Sequence, residues 1–526
     1  MTTLSQRPSN SSPAPVSIGH RIDKWDPEDE AAWEAGGKNI ARRNLLGSIL
    51  AEHIGFSVWS VWSVWSVWSV MVLFMPTAVY HIDAAGKFFL VAIPTLVGAV
   101  LRLPYTFATT TFGGRNWTII SALALLVPMT LTLYFISRPE TSYTTFMIVA
   151  AFAGLGGGNF ASSMTNINAF YPQRLKGWAL GLNAGGGNIG VPAIQLIGLL
   201  VIATWGNRSP QIVCAVYLVL IGIAAVIAAL YMDNLTDQKT DARSLLDVLK
   251  FRDSWIISFL YIGTFGSFIG FSFAFGQILQ LNFLAGLTNG APATAAMQAT
   301  AALHAAQIAF IGPLLGSLSR PLGGRLADKI GGGRITLYSF VAMMAAAGIL
   351  VVAGTVDDTT PGAANTTIMT AYVVGFILLF VISGIGNGSV YKMIPAIFAA
   401  KAAALHPHSA PTAAAVWSRT MSGALIGIAG AVGALGGVAI NLVLRASYLG
   451  VHKSATTAFW VFAAFYIICA VITWTVYLRR PLAPAPTPAD ASRLLSEQQP
   501  GDVRECRSPS AGIPPAASRP GPAKPR

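Results

Sequence analysis

Charge is scarce in this chain. Asp, Glu, Lys and Arg make up 10% of its 526 residues, against 54% hydrophobic residues, and the mean hydropathy is +0.59. That leaves too little polar material to solvate a globular surface of this length. Cysteine is nearly absent: Cys214, Cys469 and Cys506 are scattered, which excludes a disulfide framework and offers no zinc or redox spacing. Apolar packing suits the first two. There is no nucleophile with a positioned base, no metal cluster and no phosphate-binding loop, so an enzyme is not expected and no cofactor is implied. The glycine run Gly154 to Gly158 is no nucleotide fingerprint, because it lies within an apolar span and not after a strand. A cleavable signal is also missing, since the first forty residues carry Trp25, Asp26, Glu28, Asp29 and Glu30 where an apolar core would be needed.

Apolar helix is what the chain has in quantity. Spans of roughly 20 residues can be marked from Leu45 to Leu478, enough for twelve crossings of a bilayer. The reading is an all-α membrane protein of twelve transmembrane helices in two pseudo-symmetric six-helix halves. A formal charge of +13 would suggest nucleic acid for a soluble domain, but here it is spread over loops and sets topology instead. Arg42, Arg43, Arg115, Arg174, Lys176, the stretch from Lys239 to Arg252, Lys329, Arg334, Lys401, Arg479 and Arg480 fall in alternate connections, which are placed in the cytoplasm. The intervening connections hold Lys87, Arg138, Arg208, Arg445 and Lys453, with the acidic pair Asp357 and Asp358. Both termini are therefore expected to be cytoplasmic, in a multi-pass protein of the plasma (inner) membrane. The expected divisions are a partly disordered N-terminal segment 1–44, helices one to six over 45–232, a charged central loop 233–254, helices seven to twelve over 255–480, and a disordered tail 481–526. Residues 1–20, rich in Ser and Pro, are expected to be unstructured as well.

Span one contains a low-complexity repeat, Ser57 to Val70, that places Trp59, Trp62, Trp65 and Trp68 three apart. A step of three turns a helix by about 300 degrees, so the rings form a drifting stripe. A lipid-facing or packing surface is the expected role.

The halves repeat each other. Leu96 to Trp117 reads LVGAVLRLPYTFATTTFGGRNW and Leu314 to Ile335 reads LLGSLSRPLGGRLADKIGGGRI. Each has a small-residue helix, an arginine followed closely by proline, and a Gly-Gly-Arg turn. Parallel repeats with a mid-membrane site between them are how one large class of carriers is built. Gly324-Arg325-Leu326-Ala327-Asp328-Lys329 resembles the cytoplasmic loop signature of the major facilitator superfamily. Arg102 and Arg320 lie at matching places inside spans two and eight, where burying an arginine costs about 2.5–3.5 kcal/mol on insertion scales. Spans two, four, five, seven, eight, ten and eleven hold almost no acid apart from Asp328 at a span end. The missing partner is then an anionic substrate, although Arg320 could instead pair near the loop. A planar, permanently charged fork of donors suits a small flat oxyanion. Glycines crowd spans four, five, ten and eleven. Most serve close helix approach; among them sit Asn159, Asn188 and Asn387, with substrate contact favoured for Asn188 and an interhelical hydrogen bond for the other two.

The runs AGLGGGNFASSMTNINAF, PQRLKGWALGLNAGGGNIG, LYIGTFGSFIGFSFAFG and SGIGNGSVYKMIPAIF resemble the nitrate/nitrite porter branch of the major facilitator superfamily over about residues 22–480. The resemblance implies the major facilitator fold, a part in nitrate assimilation, and nitrate and nitrite as the anions carried. It implies that Arg102 and Arg320 grip the anion, that Asn188 and Tyr261 supply hydrogen bonds, and that Phe160 and Phe265 sandwich the planar ion. The family's signatures fall on Gly185, Gly186, Gly187 and Gly190 in span five and on Gly433, Gly436 and Gly437 in span eleven. The lipid bilayer is the other partner, nucleic acid is not one, and a single chain is the expected working unit.

Coupling is less constrained. Glu52 and His53 near the inner end of span one and His304 near the outer end of span eight are the titratable candidates, and packing or interfacial roles are favoured for each. Lys392 is expected to snorkel. With no mid-membrane carboxylate, opposed arginines repel unless an anion lies between them, which favours exchange of nitrate for nitrite. A proton-coupled symporter and, more distantly, an anion sensor without transport remain the alternatives.

Overall fold

A computed structural model describes residues 17–63, 84–205, 209–236, 242–288, 291–292, 294–359, 366–405, 411–448 and 454–479. Trp65 and Trp68 of the repeat and the tail from 481 lie outside the described residues. Among the described residues the helices group into twelve rods. The first half comprises α1 (Lys38–Ser63), α2 (Ala84–Phe112), α3 (Gly114–Ile136), α4 (Tyr143–Phe170), α5 (Lys176–Asn188, continued by Gly190–Trp205) and α6 (Pro210–Tyr231). The second comprises α7 (Arg252–Tyr261, through a π-helical turn Ile262–Gly266 into Ser267–Thr288), α8 (Ala295–Ala309, continued by Ile311–Ile330), α9 (Gly332–Thr359), α10 (Thr366–Leu405), α11 (Pro411–Tyr448) and α12 (Thr456–Thr473). Among the described residues, ten stretches are long and apolar enough to cross a membrane. Outward faces carry exposed apolar side chains such as Val100, Val127, Val219, Val352 and Trp460, the surface a helix presents to lipid rather than to water.

The internal repeat extends to the backbone. The corner after α2 is made by Gly113 at φ 87° and the corner after α8 by Gly331 at φ 96°, each eleven residues beyond its arginine. Both are left-handed conformations that favour glycine. Across the halves, α5 packs along α8 and α2 along α11. Pro321 removes the N–H that would bond the carbonyl of Ser317, and Gly185 lies against that carbonyl, where an added Cβ would come within 2.7 Å of the oxygen. The glycine and the proline thus belong to one close contact.

Among the described residues the fold is helical apart from one small sheet. Ser17–Ile18, in the stretch expected to be unstructured, pairs antiparallel with Arg21–Ile22, which pairs in parallel with Asn234–Leu235. The pairing ties the N-terminal segment to the connection after α6. Asp233 anchors it: fully buried, it accepts from Arg43 Nε at 2.9 Å, Arg43 Nη2 at 2.8 Å and Asn44 Nδ2 at 2.9 Å, while its own N–H donates to Asn44 Oδ1 at 2.8 Å. Asp233→Ala removes the acceptor of both side chains, with Arg43 able to reach water and buried Asn44 keeping only its bond to the Ile40 carbonyl at 3.0 Å. The expected cost is about 2–3 kcal/mol, read as a lowered Tm of the detergent-solubilised protein.

The repeat tryptophans within the described residues face inward, which corrects the lipid-facing alternative. Trp59 and Trp62 are buried. Trp59 Nε1 donates to the Pro94 carbonyl at 2.7 Å and Trp62 Nε1 to Thr132 Oγ1 at 3.1 Å, so each indole has the partner that a buried N–H needs.

Candidate functional site

Arg102 on α2 and Arg320 on α8 are both fully buried and converge on one aromatic stack. Phe160 of α4 and Phe265 of the π turn in α7 stack with centroids 5.5 Å apart and planes at 21°. Tyr261, one turn before Phe265, continues the stack at 5.0 Å and 7°. The guanidinium carbon of Arg102 lies 4.5 Å from the Phe160 centroid and 5.0 Å from that of Phe265; for Arg320 the values are 5.3 and 5.6 Å. Trp59 adds a face to Arg102 at 5.5 Å and Tyr391 one to Arg320 at 5.4 Å. Aromatic faces stabilise a desolvated cation by about 2 kcal/mol, which helps to hold two like charges in a dry interior.

Hydrogen bonding fixes the arginines only in part. Arg102 donates through Nε to the Gly157 carbonyl at 3.1 Å and through Nη1 to the Gly430 carbonyl at 2.5 Å. Arg320 donates through Nη2 to the hydroxyl of Tyr261 at 2.7 Å. Arg102 Nη2 and Arg320 Nε and Nη1 have no partner among the described residues. Buried unpaired donors on charged groups are costly, and three of them around one ring stack point to an acceptor-rich anion.

The other expected site residues are also buried here. Tyr261 holds Arg320, an indirect position relative to an anion. Asn188, at the break in α5, has neither amide atom paired among the described residues. Asn159 and Asn387, for which interhelical hydrogen bonds were expected, likewise make none among the described residues. In this conformation Phe160 and Phe265 touch one another. A planar ion between two rings needs a centroid separation of about 7 Å, two contact layers, so the expected sandwich is not the arrangement present. The signature glycines are contact points: Gly187 against the Glu52 carboxyl, Gly190 against the His53 carbonyl, Gly186 against Ile49, Gly433 against the Tyr261 ring, Gly436 against the backbone of Gly266, and Gly437 against Ile269.

Two expectations about charge need correction. Of the packing and interfacial roles favoured for Glu52, the interfacial one falls: the residue is fully buried on α1, bonded by Asn183 Nδ2 at 2.9 Å. Lys392 does not snorkel: it is 9% exposed, pairs with Asp328 at 2.8 Å and donates to the Gln173 carbonyl at 2.5 Å. Asp328 also accepts from the N–H groups of Gly177 and Trp178 at 3.1 and 2.7 Å, at the N-terminus of α5, where the helix dipole favours a carboxylate. Its partners are thus Lys392 and a helix end, leaving Arg320 to the aromatic stack. Trp59, Gly157, Gly430 and Tyr391 were missed; all but Trp59 lie in the glycine-rich runs of spans four, ten and eleven, whose clustering was the available signal.

The chain matches the model of the Major Facilitator Superfamily over residues 54–426. It is 34% identical to the nitrate/nitrite transporter NarU of Salmonella typhimurium, over 87% of this chain and 96% of that protein. It is 29% identical to the probable nitrate/nitrite antiporter NarK2 of Thermus thermophilus, over 88% and 97%. Among solved structures, the proton:xylose symporter XylE shares the fold with a TM-score of 0.57 at 14% identity, over 84% of this chain and 96% of that one.

Proposed function

This chain belongs to the Major Facilitator Superfamily and, within it, to the nitrate/nitrite porters, and from that premise we propose that it carries nitrate and nitrite by alternating access around Arg102 and Arg320. It is a multi-pass membrane protein and not an enzyme. The observation that carries the proposal is the pair of buried arginines on one aromatic stack with three nitrogens that have no partner among the described residues. Nitrate is flat, singly charged and has three acceptor oxygens. It matches two planar forks that lie over one ring and keep donors without a partner among the described residues. Asn188 supplies a further donor, Tyr261 orients Arg320, and Phe160 and Phe265 cover the faces of the cations. The membrane is the plasma (inner) membrane, the basic connections and both termini lie in the cytoplasm, and one chain is the working unit.

Two arginines with no other counter-ion favour exchange, since the cations then repel across an empty site and an anion has to lie between them for the halves to rock. A second reading, net uptake coupled to protons, is favoured by one observation, the buried Glu52. The test is counterflow. With equal pH on both sides, labelled nitrate enters proteoliposomes loaded with nitrite much faster than empty ones. Binding without flux would instead identify a sensor, and no binding would overturn the substrate.

A further inference from the structure

Glu52 is a carboxyl group with no exposed surface on α1. Its Oε2 accepts from Asn183 of α5, and its Oε1 has no partner among the described residues. Gly187 abuts the group so closely that an added Cβ would lie within 2.4 Å of Oε1; the glycine is what lets α5 pass. The groups facing it from each neighbouring helix are few. From α4 come Ser163, a hydrogen-bonding group toward the carboxyl itself, and Met164; the Asn183 amide reaches both at 2.7 and 3.5 Å. From α2 and α8, Arg102 and Arg320 act on it electrostatically. On α6, Tyr217 meets Ser57 of α1, farther along that helix. On α1 itself, His53 turns to the Gly186 carbonyl at 3.3 Å. No lysine or arginine forms an ion pair with Glu52 among the described residues; Phe56, one turn farther along α1, packs edge-on against Phe160 at 5.9 Å, and that ring lies 4.5 and 5.3 Å from the guanidinium carbons of Arg102 and Arg320, which puts the two cations one ring beyond the carboxyl.

We propose that Glu52 and the transported anion are alternative counter-ions of the arginine pair, so that Glu52 takes up one proton as the anion binds and releases it as the anion leaves. The inference rests on the anion-carrier reading above. With the anion present and Glu52 protonated, the two guanidinium charges face one negative charge. With the site empty and Glu52 ionised, they again face one negative charge. These two states carry the same net charge, and they are the two that cross between conformations. The others, anion with ionised Glu52 and empty with protonated Glu52, differ from them by one charge and reorient poorly. The proton adds to a carboxylate oxygen and leaves from it, with no other bond changed. Exchange uses only the loaded state; net transport needs the ionised empty state and so couples one proton to one anion.

The experiment measures proton uptake when nitrate binds the purified full chain in weakly buffered detergent solution, for wild type, Glu52→Gln and Glu52→Asp. Alongside it, the ratio of pH-gradient-driven net nitrate uptake to nitrate/nitrite counterflow is measured in proteoliposomes. Wild type takes up close to one proton per nitrate bound and Glu52→Gln none. The ratio in Glu52→Gln falls at least about tenfold, because the empty arginines have lost their counter-ion, and Glu52→Asp recovers part of it. Nitrate binding to wild type without proton uptake overturns the inference and leaves the carrier reading standing, and this holds whether or not the variants fold. Undiminished proton uptake in Glu52→Gln overturns it as well. No nitrate binding to wild type removes the carrier reading itself.

Discussion

Arg320→Lys lowers nitrate counterflow at least about a hundredfold, and Arg102→Lys does the same, at unchanged protein levels in the vesicle. Lysine keeps the charge but presents one ammonium where each arginine presents a planar fork. At position 320 the substitution removes the bond to Tyr261 and the free Nε and Nη1 together; at 102 it removes the ties to Gly157 and Gly430 that aim the free Nη2. Hydrogen bonds to a charged group contribute about 1.5–3 kcal/mol each, and a factor of ten corresponds to about 1.4 kcal/mol, so two lost bonds suffice. Initial rates of labelled nitrate entry into nitrite-loaded proteoliposomes give the number. Arg138→Lys is the control, because that exposed cation only covers the ring of Tyr134 and its replacement leaves the rate intact. A wild-type rate in Arg102→Lys or Arg320→Lys would move the site away from the stack.

Much of this site was legible because it rests on a repeat. Arginine before proline before a glycine corner recurs in both halves, and an arginine in an apolar helix has to be accounted for. What sequence spacing does not carry is which helix faces which. Glu52 sits on α1, and nothing along α1 reveals that α5 brings Asn183 to it or that α2 and α8 bring their charges. The acid was visible, but its partners were up to 268 residues away in the chain. Likewise a threefold tryptophan spacing defines a face without saying whether lipid or protein covers it. Lys392 and Asp328 each read as helix-end residues; only the packing of α10 on α8 makes them partners within the second half. The sandwich expected of Phe160 and Phe265 named the right rings for the arginines, yet the distance between rings depends on the conformation and is not encoded in residue type.

The contact of α5 with α8 carries the second large prediction. At Gly324 an added Cβ would lie 2.0 Å from the carbonyl oxygen of Gly177, and at Gly177 it would lie 2.5 Å from the carbonyl oxygen of Gly324. Both neighbours are backbone, so neither can turn aside, and a methyl group forces the helices apart at the end where Asp328 caps α5 and pairs with Lys392. Gly324→Ala therefore strains the closed arrangement of that end and biases the protein toward opening there, since a packed interface separates as a unit rather than deforming. The expected result is a fall in counterflow of at least about tenfold, the equivalent of a contact penalty above 1.4 kcal/mol. It comes with faster labelling of a cysteine placed at Ser317, which is fully buried here, in a Cys506→Ser background. Gly348→Ala provides the contrast. Nothing lies within 4 Å of its added Cβ, so it gains about 0.8–1 kcal/mol of helix propensity and transports at the wild-type rate. Equal rates for Gly324→Ala and Gly348→Ala would mean that α5 and α8 do not have to meet this closely at any step of the cycle.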